Sequence, residues 1–87
     1  MMDLDAFKES IIENVYHITA ETKVPLHKHD GADEIFYCIR GSGYQVLEEG
    51  EKELNVGGIF FVPARTMHSL RSDTDLYVCS FLIPKVE

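Results

Sequence analysis

Residues 34–40, EIFYCIR, alternate in a way that suits a β-strand. On that pattern Glu34, Phe36, Cys38 and Arg40 point to one face, and Ile35, Tyr37 and Ile39 to the other. Both faces carry large apolar groups, whereas a sheet with one solvated face carries them on one side only. The segment 76–83, LYVCSFLI, has the same two-sided character. Other short runs follow the same logic: 11–20 (IIENVYHITA) is rich in β-branched and aromatic types, 59–62 (IFFV) reads as a buried strand, and 67–71 alternate. Residues 44–48 and 52–56 flank Glu49-Gly50-Glu51 and read as a hairpin. Glycines and prolines cut the chain into pieces of strand length. Many short strands with regular turns predict an all-β sandwich or barrel. Residues 3–10 are the exception and read as a short helix, capped by Asp3 or Asp5, or as an irregular arm.

At 87 residues the chain is one small domain, 1–87, with a limited core. Help from a partner subunit or a metal would matter at this size. The apolar second face of 34–40 needs a cover, which a second sheet, the N-terminal segment or another subunit would supply; with the same two-sided character in 76–83, a homodimer is expected. Fifteen acidic against eight basic residues give a formal net charge of -7. That balance argues against nucleic acid and against an anionic membrane surface. No apolar run reaches the roughly 20 residues a spanning helix needs. The start, MMDLDAFKES, has no signal-peptide pattern, and Cys38 and Cys79 form no CxxC pair or disulfide framework. Two reduced thiols in a cytoplasmic protein are expected.

The chemistry concentrates in HKHDGADEIFYCIRG, residues 27–41. His27 and His29 are one residue apart, so on an extended backbone their rings share a face. Glu34 follows the turn Asp30-Gly31-Ala32-Asp33 and can bring a carboxylate to the same point. His68, after Pro63-Ala64-Arg65-Thr66-Met67, is the candidate fourth ligand. Three imidazoles and a carboxylate suit a first-row transition metal and not Mg²⁺ or Ca²⁺. Four protein ligands around a six-coordinate ion leave two positions for water, dioxygen or substrate. An HxH pair alone is a weak signal, and Glu34 alone reads equally as a solvated acid. Cys38 lies roughly 13 Å along the strand from Glu34, too far to share an ion. His17 reads as a surface or packing histidine, and Phe36, Phe60 and Phe61 as core. Tyr44 also reads as core, with a hydroxyl that could approach a ligand. Arg65 and Arg71 read as solvated, with attraction of an anionic substrate as the alternative.

The chain resembles the cupin superfamily, in particular its small single-domain, cupin 2 type. The first motif of that family, G-x5-HxH-x3,4-E-x6-G, is matched by His27, His29, Glu34 and Gly41, with Glu21 at the leading glycine position. The second, G-x5-PxG-x2-H-x3-N, is matched by Gly57, Pro63 and His68, with Arg65 at the second glycine position and Ser72 at the asparagine position. Arginine disfavours the φ > 0 that glycine would allow at 65. The resemblance spans residues 21–72. It implies a small antiparallel β-barrel of double-stranded β-helix (jelly-roll) type. It also implies one divalent transition metal per chain (Fe, Mn, Ni, Cu or Zn) held by His27, His29, Glu34 and His68.

The same resemblance implies a metal-dependent enzyme acting on a small organic molecule, of dioxygenase, isomerase, decarboxylase or lyase type. Glu34 is then the fourth ligand or a carboxylate that swings away to act as a general base. The alternative is a non-catalytic small-ligand-binding or sensor barrel. The residues themselves identify no second acid or base.

Overall fold

The computed structural model describes residues 4–85. The N-terminal segment forms a short helix, α1 (Leu4–Ser10), with Asp5 in its first turn and Lys8 in its last, as the helix dipole favours. Asp3, one of the two expected caps, lies outside the described residues, and Asp5 sits within the helix instead of capping it. Six strands follow: β1 (Ile12–Thr19), β2 (Ala32–Leu47), β3 (Gly50–Asn55), β4 (Ile59–Val62), β5 (His68–Arg71) and β6 (Asp75–Pro84). All their pairings are antiparallel.

The two strands expected at 34–40 and 44–48 are one strand of 16 residues. Its first half pairs with β6 and β4, and its second half pairs with β3 and β5. One sheet therefore runs β1-β6-β2-β4 and the other β3-β2-β5, and β2 passes between them. Gly41 and Gly43 mark the corner and do not end the strand. At Gly41 φ is 80°, and an added Cβ would lie 2.1 Å from the carbonyl oxygen of Asp75. Only glycine lets β2 run this close to β6 while it bends.

The core lies between the two sheets. Phe36, Cys38, Val78, Leu76 and Phe60 meet Leu54 and Leu70 from the opposite side, all buried. The architecture is the expected all-β jelly roll, built as two sheets that share a strand and not as a closed barrel. A bulge between Cys38 and Arg40 breaks the alternation of β2, so Arg40 is exposed and its guanidinium lies 6.0 Å from the Tyr77 ring. β4 was expected to be buried throughout. It alternates instead, with Phe60 and Val62 inward and Ile59 and Phe61 outward, the last 54% exposed. Its single layer of cover explains this: only one face of β4 meets the second sheet.

No helix among the described residues is long and apolar enough to cross a membrane. Cys38 and Cys79 are both free. Cys38 pairs with Val78 in the ladder, so Cys79 points to the opposite face and the two thiols cannot meet.

Candidate metal centre

His27 is not in a regular strand, yet its backbone exchanges two hydrogen bonds with His68, at 3.0 and 2.8 Å. This bridge sets His27 beside the start of β5. Glu34 comes from the other sheet, in the first half of β2, and faces His68 across the interior. His29 is held by the turn after β4, where the Arg65 N–H donates to the His29 carbonyl at 2.7 Å. Arg65 adopts φ 70°, and the Thr66 N–H donates to the Pro63 carbonyl at 3.2 Å. That is the turn that usually takes glycine at its third position. The arginine accepts the left-handed backbone because two hydrogen bonds fix it there.

One side-chain atom from each of His27, His29, Glu34 and His68 lies within 4.8 Å of the others. Glu34 and His68 are buried, and His27 and His29 are half-buried. The Glu34 Oε1 lies 3.0 Å from His68 Nε2 and 3.1 Å from His29 Nε2. The Nδ1–H of His27 donates to the Pro25 carbonyl at 2.9 Å, and that of His68 to the Thr66 carbonyl at 2.8 Å. A carbonyl can only accept, so both Nδ1 atoms carry the proton and Nε2 is the nitrogen left for the cluster. Anchoring of this kind is what fixes ring orientation and tautomer in histidine metal ligands. The donor set thus fits a first-row divalent ion.

Sequence reasoning missed Ser80. Its hydroxyl is fully buried and donates to Glu34 Oε2 at 2.6 Å. The available signal was parity: in β6, Leu76, Val78, Ser80 and Leu82 share the inward face, and Ser80 is the one polar member. Burial pushes the Glu34 carboxyl up. Hydrogen bonds with His68 and Ser80, and the charge on His29 and His68, outweigh it and hold the group below the ordinary carboxylate value. Burial pushes His68 down, but its contacts with Glu34 and the Thr66 carbonyl hold it above the ordinary histidine value.

A cavity of about 270 Å³ opens beside the cluster. Its walls are Ile18, Val24, Phe36, Leu70 and Leu82, with Tyr16 at the exposed edge. The other candidates lie elsewhere. The Tyr44 ring packs under the Arg71 guanidinium at 4.1 Å and does not line the cavity. Arg71 itself pairs with Glu51 and Asp73, and Arg65 is exposed. His17 is a surface residue, 2.7 Å from Asp75 and stacked on Tyr77. Phe61 is not core.

The chain is similar to several known proteins. It is 29% identical over 65 residues to an uncharacterized protein of Methanocaldococcus jannaschii, covering 75% of this chain and 50% of that one. It is 40% identical over 48 residues to the quercetin 2,3-dioxygenase of Bacillus subtilis, covering 55% of this chain and 14% of the enzyme. The chain therefore spans half or less of these relatives' length. A crystal structure of a predicted oxalate decarboxylase from Thermotoga maritima superposes with a TM-score of 0.81 at 23% identity, over 98% of this chain and 76% of that one. Residues 14–83 match the model of the cupin domain family, Cupin_2, and with its jelly roll and intact histidine–glutamate motif the chain belongs to the cupins.

Proposed function

We propose that this protein binds one divalent first-row transition metal through His27, His29, Glu34 and His68, and acts on a small organic molecule in the adjoining cavity. The observation that carries the reading is the convergence of four ligand atoms, from Glu34 and His68 on the two sheets and His27 and His29 in the segment before β2, with two imidazoles already oriented from behind. A bound ion of this type supplies Lewis acidity or redox chemistry at its open positions. Glu34 serves best as a fixed ligand, because the Ser80 hydroxyl holds Oε2 and turns Oε1 towards the histidines. Ile18, Val24, Phe36, Leu70 and Leu82, which line the cavity beside the four ligands, would exclude water from a molecule bound there. Dioxygenase, isomerase, decarboxylase and lyase chemistry all fit such a site. The test is oxygen consumption and product analysis on metal-loaded protein with a panel of small phenols, thiols and carboxylic acids. Turnover lost in His68→Ala supports the enzyme.

A second reading is a non-catalytic sensor or carrier barrel. It is favoured by the walls, where Tyr16 is the one titratable side chain outside the four ligands. Saturable ligand binding without turnover would select it.

We also propose a homodimer through the outer face of the β1-β6-β2-β4 sheet. The ladder lines up Val15, Cys79, Tyr37 and Ile59 in one row and Glu13, Phe81, Ile35 and Phe61 in the next. Val15 and Ile59 are each 63% exposed. Four of these apolar side chains, Val15, Tyr37, Ile59 and Phe61, are exposed and form one contiguous patch of the kind that marks an interface. Seven of the eight positions carry no charge, so two copies of an acidic chain can meet there. Light scattering should give twice the chain mass, and Phe61→Lys should halve it. Two free thiols fit a reducing compartment, and a cytoplasmic location is part of the proposal.

A further inference from the structure

The chain's 8 lysines and arginines all lie among the described residues, and none of them lines the cavity beside the ligand cluster. Most are committed elsewhere. Arg71 is held by Glu51 and, at 2.9 Å, by Asp73. Lys85 lies 3.7 Å from Asp33, and Lys28 lies 4.0 Å from Asp30. Arg40 sits over Tyr77 on the outer face, and Lys23 borders a separate cleft. The other three side chains are exposed.

The walls offer little else to an anion. Ile18, Val24, Phe36, Leu70 and Leu82 present hydrocarbon. Of the two hydroxyls that line it, Ser69 donates to the Val24 carbonyl at 2.7 Å and Tyr16 stands at the exposed edge. A charged group pressed against this surface would lose its water and find no counter-charge. An apolar group would gain by displacing that water. The cavity, about 270 Å³, is at the small end for ligand sites. A dry cavity of roughly 150 Å³ already holds benzene. One ring or a short branched chain fills the space available.

From this we infer the ligand class: one metal-binding head joined to a small apolar body, with discrimination against any ligand that carries a second anionic group away from the head. The inference rests on the proposed metal site, because the head must be held by the ion. The chemistry left to distinguish ligands is then carried by the body alone.

Two probes of similar shape separate the cases. 4-Methylcatechol and 3,4-dihydroxybenzoate share a chelating head and differ by methyl against carboxylate. Each is titrated anaerobically into Co²⁺-loaded protein, and the visible absorption of Co²⁺ is followed. 4-Methylcatechol is expected to bind about 30-fold or more tighter. The gap should persist at about 0.5 M salt, where long-range repulsion by an acidic protein is screened. Equal affinities, tighter 3,4-dihydroxybenzoate, no binding of either, or a gap that collapses in salt would each overturn the ligand class and leave the metal site standing. Failure of Co²⁺ to bind at all would overturn the metal site and the inference with it.

Discussion

Replacing Ser80 by alanine tests whether Glu34 is a fixed ligand. The serine hydroxyl is buried and donates to Glu34 Oε2 at 2.6 Å. Short O–H···O⁻ bonds of this kind are about twice as strong as neutral ones. Without the donor, Oε2 stays buried beside a hydrocarbon side chain, which costs about 1–3 kcal/mol. The Glu34 carboxyl then rises from its depressed position, since burial no longer meets the Ser80 hydrogen bond, its largest opponent after His68. Loss of an outer partner of this type lowers metal affinity by about 10–100-fold. The assay is competition against a fluorescent chelator with wild type and variant, after circular dichroism has shown both folded. Ser72→Ala is the control. Its hydroxyl is also buried and donates to the Ser42 carbonyl at 2.7 Å, away from the site. It should lose about 1 kcal/mol of stability and keep its metal affinity. If Ser80→Ala binds metal within about twofold of wild type, Glu34 is not held as argued, and the expectation from outer-partner losses fails.

Other outcomes follow from the same geometry. Arg65→Gly should stabilise the fold by about 0.5–1 kcal/mol, because glycine relieves the left-handed backbone but starts from a freer unfolded chain; thermal denaturation reads this, and a lower midpoint contradicts it. In the metal-free protein the depressed Glu34 contributes stability above the unfolded carboxylate value and loses it as pH falls through the folded one. The elevated His68 contributes below the unfolded histidine value and loses it as pH rises through the folded one. Urea midpoints of metal-free protein should therefore peak between about pH 4.5 and 6.5, whereas metal affinity should keep rising above that range as the imidazoles lose protons. A metal-free midpoint that climbs steadily to about pH 8 would contradict this. Burial pushes the Cys38 thiol up, so iodoacetamide should leave it unmodified in the native protein and label it after unfolding. Peptide mass mapping that finds native Cys38 alkylated would refute that.

The site was more legible in the sequence than the path of the backbone. His27, His29 and Glu34 lie close enough in sequence to be named as candidates, and their assignment as one set with His68, 34 residues beyond Glu34, rests on the resemblance to the cupin motifs. Ser80 could not, because it meets Glu34 through a pairing 46 residues away in sequence. Only its inward parity marks it. The long β2 was cut in two because Gly41 and Gly43 look like a turn. In the fold they are the two positions where β2 passes close to Asp75, Leu76 and Arg71. The inward view of Phe61 failed for a related reason. IFFV is apolar throughout, and a continuous apolar run does not say which face is covered. Arg65 departs from the glycine expected by resemblance, yet its backbone keeps the glycine geometry. There the tertiary hydrogen bond to His29 overrides local preference.

The central proposal is that Glu34 from β2, His68 from β5, and His27 and His29 from the segment before β2 hold one transition metal. Protein purified without a His-tag or chelating column, analysed by inductively coupled plasma mass spectrometry beside His68→Ala, tests it most directly. The account predicts about one Fe, Mn, Ni, Cu or Zn per wild-type chain, lost in the variant. A folded wild type that carries no metal, and takes none up on reconstitution, would contradict it.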